Sequence, residues 1–323
     1  MKVLVIGGAG YIGSHVTREL LDQGHEAAVF DNLSLGMREN LFPESSFILG
    51  DILDQAALAQ ALTGARPYDA IVHLAAFKAA GESMTSPGKY ALNNLGGTIN
   101  ILNAAVAAGV KLIVFSSSAA VYGEPAYLPI DEKHPQNPEN FYGFTKLEIE
   151  RLLAWYDRLE GVKFAALRYF NAAGYDPAGR VHGLERNPAN LLPVIMEVAV
   201  GKRSKLEIFG NDYKTNDGTG VRDYIHVTDL AVAHVQALDR LAEKLPSFTV
   251  NLGSERGLSV LELVEAARRI TGRSIPAEVV ARRPGDPDKL VASSQLARRI
   301  LGWRANYSDL DSLIETTWKA YNR

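Results

Sequence analysis

GGAGYIG, residues Gly7 to Gly13, is the stretch on which the fold turns. KVLVI (Lys2 to Ile6) precedes it, an apolar run of one strand's length. SHVTRELLDQG (Ser14 to Gly24) follows it, with helical periodicity and a glycine stop. The stretch satisfies G-x-x-G-x-x-G through Gly7, Gly10 and Gly13, and G-x-G-x-x-G through Gly8, Gly10 and Gly13. Between a strand and a helix, such glycines let the backbone approach a pyrophosphate while the helix amino end faces its negative charge. A tight strand–helix turn can need the same glycines for steric reasons alone. The next apolar run, EAAVFD, ends in Asp31, 18 residues beyond Gly13. A carboxylate there can accept both ribose hydroxyls of a dinucleotide and repel a 2′-phosphate. No arginine directly follows Asp31, so NAD is expected over NADP.

The same alternation continues outward. SFILGD, AIVHLAA, KLIVFSSS and KFAALRYF (46–51, 70–76, 111–118, 163–170) read as strands. LDQAALAQALTG, NNLGGTINILNAAVAAG and YGFTKLEIERLLAWYDRLEG (53–64, 93–109, 142–161) read as helices. Strands alternating with helices predict an α/β fold, a doubly wound, Rossmann-type parallel sheet with ligands at the carboxyl ends of its strands. After Asn171 the rhythm loosens and Pro and Gly become frequent. The expected division is a dinucleotide-binding domain over residues 1–171 and a smaller substrate-binding lobe over 172–323. A segment near 221–240 is expected to pack back on the first domain.

Composition narrows the function. The 323 residues are 47% hydrophobic, enough for a large core, and the net charge is −3 with both signs interspersed. No basic stripe or polybasic run points to nucleic acid or a membrane surface. With 0 Cys there is no disulfide, thiolate metal site or cysteine nucleophile. Seven His are scattered without metal-ligand spacing, so no metal is expected, and His226 reads as structural. Glycine breaks the opening apolar run after one strand, which predicts a buried strand and not a signal peptide, and hence a cytoplasmic protein.

Chemistry enters with Ser116, Ser117 and Ser118, which end a strand at the ligand edge of the sheet, and with Tyr142 and Lys146, four residues apart on one helix face. A free phenol, with a pKa of about 10, is no base near neutrality. A positive charge about 4 Å away contributes roughly 4 kcal/mol in a partly screened site. That lowers the phenol by as much as about 3 units. The oxidised nicotinamide ring acts in the same direction. Tyr142 is therefore expected to act as general base, with Ser118 bonded to the same substrate hydroxyl. Y-x-x-x-K alone is common; joined to the glycine turn, Asp31 and the serine run in this order, it is specific.

The blocks GGAGYIGSH, HLAAFKAAGES, FSSSAAVYGE, YGFTK, RYFNAAG, IFGNDYKTNDGTGVRDYIHV and RRPGD occur in order along the chain. With them the sequence resembles the extended short-chain dehydrogenase/reductase family, and within it the epimerases that invert C4 of a UDP-hexose. The resemblance implies NAD as cofactor and a reaction through a transient 4-keto sugar with no net redox. It implies interconversion of UDP-glucose and UDP-galactose. It places Tyr11 and Ile12 on the pyrophosphate loop, Asp31 and Asn32 at the adenosine ribose, and Asp51 and Ile52 at the adenine. Leu74, Ala75, Ala76, Phe77 and Lys78 would run along the cofactor, with Asn94, Tyr142, Lys146 and Phe170 at its nicotinamide end. For the nucleotide sugar it implies Asn171, Asn190, Leu191, Glu207, Ile208, Phe209, Arg222, Arg283 and Asp286. Arginine forks clamp a diphosphate well, and Asp286 can accept ribose hydroxyls.

Two positions depart from the family pattern. Ile6 stands where Thr usually precedes the glycine turn. Leu290 stands where a large Tyr leaves room only for a hydroxyl at the sugar's C2, and a small residue admits an N-acetyl group. Leu is intermediate, so some activity on the N-acetylhexosamine pair is expected, although Leu290 also reads as a packing residue. A related dehydratase would need an acid and a base just after the strand-end serine, where Ala119 and Ala120 stand. An NAD-sensing regulator on the same fold would have no need of the Tyr–Lys pair. The long helix carries Ile149, Leu152, Leu153, Trp155, Tyr156 and Leu159 on more than one stripe, which predicts a second buried face. In the family, paired helices make a homodimer.

Overall fold

The structure, a computed structural model, describes residues 1–63, 66–185, 188–283 and 286–323. Gly64, which ends the helix expected over 53–64, and Pro284 and Gly285 of RRPGD lie outside the described residues.

The chain opens with β1 (Lys2–Ile6), α1 (Tyr11–Asp22), β2 (Glu26–Asp31), β3 (Ser46–Leu49), α2 (Gln55–Leu62) and β4 (Ala70–His73). Next come α3 (Ala80–Thr85), α4 (Pro87–Tyr90), α5 (Gly97–Ala107), β5 (Leu112–Ser118), α6 (Phe141–Glu160) and β6 (Lys163–Tyr169). The period of two along each strand sorts the sheet's side chains into two cores. Val3 and Val5 join Val72, Val114 and Leu167 under α1. Leu4 and Ile6 join Phe30, Ile71, Ile113 and Phe115 under α2, α5 and α6. Strands buried on both faces by helices are what a parallel sheet requires.

The later chain forms β7 (Asn171–Ala173), α7 (Leu191–Ala199), β8 (Leu206–Phe209), β9 (Val221–His226), α8 (Val227–Ala242), β10 (Phe248–Leu252) and β11 (Gly257–Ser259). It ends with α9 (Val260–Thr271), β12 (Ala277–Val280), β13 (Lys289–Leu290), α10 (Gln295–Leu301) and α11 (Leu310–Tyr321). The main sheet has seven parallel strands in the order β10-β6-β5-β4-β1-β2-β3. β10, from late in the chain, is thus its edge strand beside β6. Leu230, Val235 and Leu238 of α8 pack into the same core as α1. Strand order reverses between β1 and β4, which opens a crevice at the carboxyl ends. β7, β9, β11 and β13 form a small separate sheet, and β8 pairs with β12. A third core gathers α7, α9 and α11.

Two helices depart from the sequence reading. α1 begins at Tyr11 and not at Ser14, so the last glycine of the turn lies inside the helix. Apolar periodicity cannot register a first turn made of Tyr, Ile and Gly. The helix expected from Asn93 begins at Pro87, as α4, and passes through a π-helical turn at Ala91–Gly96 into α5. A π turn shifts the side-chain period, and such turns mark functional sites. Among the described residues, no helix is long and apolar enough to cross a membrane.

Candidate active site

A cavity of about 480 Å³ lies along the carboxyl ends of the strands, within the range of small-molecule sites. Gly7, Gly10, Tyr11, Ile12 and Gly13 line one end. The glycines there are steric necessities. A Cβ on Gly13 would fall 2.1 Å from the carbonyl oxygen of Gly7, and one on Gly7, at φ +86°, would fall 2.7 Å from the amide of Ala75. Gly10, the residue before α1, supplies no side-chain cap, so the first-turn N–H groups gain no side-chain partner from it.

Asp31 lines the same end and is buried. It accepts the amides of Ala9 (3.0 Å) and Leu33 (2.8 Å), which fix its carboxylate and leave lone pairs for a ligand. Burial raises its pKa, and the two amide bonds oppose the shift. Asn32 and Ile52 are in the wall; Asp51 is not in it but accepts from Asn32 Nδ2 at 2.8 Å. Asp51 does not cap α2; Asp54 does, accepting from Ala56 and Ala57. The loop Ser34, Leu35, Gly36 and Met37, with Asn40, completes this wall. Sequence reading missed that loop. The one signal it carries is Gly36, where a Cβ would meet Asp31 Oδ1 at 2.8 Å. A crowded glycine turn, an uncapped helix start and a fixed carboxylate on one cavity fit a dinucleotide.

Leu74, Ala75, Ala76, Phe77 and Lys78 run along the middle. Asn94 lies behind them, fully buried. It accepts from the amide of Phe77 at 2.9 Å and donates to its carbonyl at 3.0 Å, so it holds the strand end that the cavity uses. Lys78 pairs with Glu185, also in the wall.

Ser118, Tyr142, Lys146 and Phe170 converge at the other end. Asn140 caps α6 through the amide of Gly143 (2.8 Å), and Ser83 accepts from the amide of Tyr142 (3.0 Å). Lys146 Nζ donates to the carbonyl oxygen of Ser116 at 2.8 Å and lies 5.8 Å from the Tyr142 ring centre. Burial pushes the phenol up to about 12, and Ser118 pulls in the other direction. Burial brings Lys146 down to about 7, opposed by Glu150. Desolvation is the larger cause for both groups in this state.

Asn171 and Asn190 also line this end. The remaining nucleotide-sugar candidates are outside this wall. Leu191 begins α7, half-buried. Ile208 is buried in the second-lobe core, while Glu207 before it is exposed. A cluster joins β9 to the segment before β13. Arg222 pairs with Asp286, and Asp286 accepts the hydroxyl of Tyr213 at 3.0 Å. The Arg283 guanidinium lies 3.8 Å from the Phe209 ring centre. Leu290 pairs in register with Arg222 and packs against the small core of Val121, Tyr122, Ile130 and Leu147, as Ala119 and Phe170 also do. Tyr213 and Arg282, which stacks on it at 3.8 Å, lie within the quoted blocks but are not among the expected site residues.

Residues 3–253 match the model of the NAD dependent epimerase/dehydratase family. The chain is 50% identical to the UDP-glucose 4-epimerase of Lacticaseibacillus casei, covering 98% of this chain and 96% of that one. Its structure is similar to that of the Brucella ovis UDP-glucose 4-epimerase in complex with NAD, with TM-score 0.96, 46% identity, and 99% and 98% of the two chains covered. It is also similar to the Bifidobacterium longum UDP-glucose 4-epimerase in complex with NAD+ and UDP, with TM-score 0.92, 36% identity, and 100% and 98% covered. With this glycine turn, this acid at the end of β2 and this Ser–Tyr–Lys set on one cavity, the chain belongs to the NAD-dependent epimerase/dehydratase family.

Proposed function

We infer that this chain inverts C4 of a UDP-hexose and interconverts UDP-glucose and UDP-galactose. The observation that carries the reading is the convergence of Ser118, Tyr142 and Lys146 on the cavity that the glycine turn opens, with Ala119 and Ala120 next along the chain. Two alanines cannot move the protons that an elimination needs, which favours epimerisation over dehydration.

When bound, NAD supplies the acceptor and donor of hydride. Gly7, Gly10, Tyr11, Ile12 and Gly13 hold its pyrophosphate, and Asp31 and Asn32 its adenosine ribose. Tyr142 takes the proton from the sugar's O4 and returns it after the transient 4-keto sugar has turned. Ser118 bonds the same oxygen and orients it. Lys146 places positive charge behind the phenol. A phenol at about 12 needs this help and that of a cationic ligand to work near neutrality. Arg222 and Arg283 hold the diphosphate and Asp286 the uridine ribose. The Arg222–Asp286 pair then has to open as the ligand enters.

We propose that the main sheet, to which α8 and β10 return from beyond residue 171, holds the cofactor, and that the rest of the chain after residue 171 holds the nucleotide sugar. We also propose a homodimer. Leu92, Ile99, Phe144, Trp155 and Leu159 are exposed on α5, α6 and the π turn, an apolar face that a second copy's same helices would cover. A chain with 0 Cys suits the reducing cytoplasm.

The test is direct: UDP-galactose in and UDP-glucose out, without a stoichiometric oxidant. A released keto product would mark a dehydratase instead, and absence of turnover with NAD bound would mark a sensor.

A further inference from the structure

Away from the cavity, α6 and the sheet enclose a charged group that the reaction above does not use. Glu150 lies one turn after Lys146, and both are buried, at 7% and 3% exposure. Positions four apart on a helix are neighbours. Adjacent residues of β5 divide the pair. The Ser116 carbonyl accepts from Lys146 at 2.8 Å, and the Ser117 hydroxyl donates to Glu150 Oε1 at 2.5 Å. From β6, Arg168, opposite Ser117 in register, donates to both oxygens of Glu150, at 2.9 and 2.5 Å. Arg168 also donates to the Tyr122 hydroxyl at 2.9 Å, and Tyr122 donates to Asn251 of β10 at 2.6 Å. One carboxylate, held from two strands, thus serves a bidentate cation and has Lys146 one turn away.

We propose that Glu150 is a positioning residue for Lys146: its anchored carboxylate, one buried helical turn away, supports the positive charge on the ammonium that the Ser116 carbonyl holds beside Tyr142. The proposal rests on the reading of Tyr142 and Lys146 as the proton-transfer pair. Burial alone disfavours a charged lysine, and a fixed carboxylate nearby offsets that penalty. The other groups around Lys146 cannot take the part. From β4, His73 is pushed down to about 3 by burial and then by Lys146 itself, so it is neutral. From β6, Arg168 is committed to Glu150, and Tyr169 is held protonated by burial. From α8, His234, pushed down to about 4, has its Nε2 2.7 Å from the Ser116 hydroxyl. On α6 itself, Tyr142 is a neutral phenol in this state. From α3 and α4, Glu82 is exposed and tied to Lys89 and Tyr90. Of these groups, Glu150 is the buried, anchored carboxylate one turn from Lys146.

The experiment follows the rate–pH profile of the NAD-loaded enzyme. In the active state the phenol has lost its proton and Lys146 keeps its own, so the alkaline limb reports loss of the lysine proton. Glu150→Gln keeps the shape and removes the charge. The alkaline limb should then move to lower pH by about one unit or more, the size an adjacent opposite charge usually carries. NAD affinity and thermal midpoint serve as controls on folding. A folded E150Q variant with the wild-type limb overturns the proposal. If the unpaired Arg168 prevents folding, the double variant Glu150→Gln with Arg168→Gln removes both charges. The limb should move in the same direction by a smaller amount, since the lost arginine charge opposes the shift, and a wild-type limb again overturns the role. Lys146→Met separates the two readings. If it keeps the alkaline limb, the Tyr–Lys assignment itself falls. If it loses the limb while E150Q leaves it in place, only the role of Glu150 falls.

Discussion

Lys146 bonds the carbonyl oxygen of Ser116 at 2.8 Å, and its distance from the Tyr142 ring centre is 5.8 Å. The lysine is thus fixed by the strand and acts on the phenol through space. Removing the phenolic oxygen should leave this frame intact. Tyr142→Phe is expected to lose about 100-fold to 10,000-fold in kcat, the usual range for a lost general base, while NAD still binds. Steady-state kinetics with a parallel NAD titration checks it. Activity near the wild-type level would refute the assignment of the base.

Asp31 should govern cofactor choice. Its carboxylate is fixed by Ala9 and Leu33 before any ligand arrives. Asp31→Ala should weaken NAD and narrow its preference over NADP. Fluorescence titration with both dinucleotides reads the ratio, and an unchanged NAD affinity would disprove the role.

Acid should unfold the protein through its buried histidines. His15, His73, His226 and His234 are all buried and pushed down to about 4, 3, 3 and 4, chiefly by desolvation. In the unfolded chain each titrates near about 6.5. Below that pH the unfolded state binds protons that the native state refuses, so stability falls as pH drops from about 6.5 toward 4. Each histidine contributes up to about 1.4 kcal/mol per pH unit in that window. Urea midpoints measured at pH 7.5, 6 and 5 should decline steeply. A flat series would contradict the burial argument.

The apolar face of α5 and α6 should hold two copies together. Trp155 and Leu159 are 55% and 69% exposed in the single chain. Wild-type protein should sediment as a dimer at micromolar concentration, and Trp155→Glu with Leu159→Glu should sediment as a monomer. A wild-type monomer would remove the proposal.

Leu290 should set the tolerance for a C2 substituent. It packs against the same small core as Phe170, which lines the cavity. Leu290→Tyr should depress the N-acetylated reaction selectively, and Leu290→Ala should raise it, each by about 1–3 kcal/mol in discrimination. The readout is the ratio of kcat/KM for UDP-galactose and its N-acetylated counterpart. If both variants leave that ratio unchanged, Leu290 is a packing residue only.

The parallel sheet and its glycine turn were legible in the sequence because their signals are local. A strand's apolar run, a helix's period and glycines at fixed spacing act within a few residues of one another. Asp31 was legible for the same reason, standing at the end of the second such run. Tertiary structure alone put β10 beside β6, since pairing between residues 83 positions apart leaves no periodic trace. It alone placed Asn94 behind Phe77, because a π turn rotates side chains off the helical period. The pairing of Arg222 with Asp286 spans 64 positions and likewise follows from how β9 meets the segment before β13. Most of all, spacing put Tyr142 and Lys146 on one helix face but could not set their charge. That depends on burial, on the Ser116 carbonyl and on a carboxylate held by Ser117 and Arg168 from two other strands. Proton affinity is set by the whole surroundings of a group, and those surroundings exist only once the chain has folded.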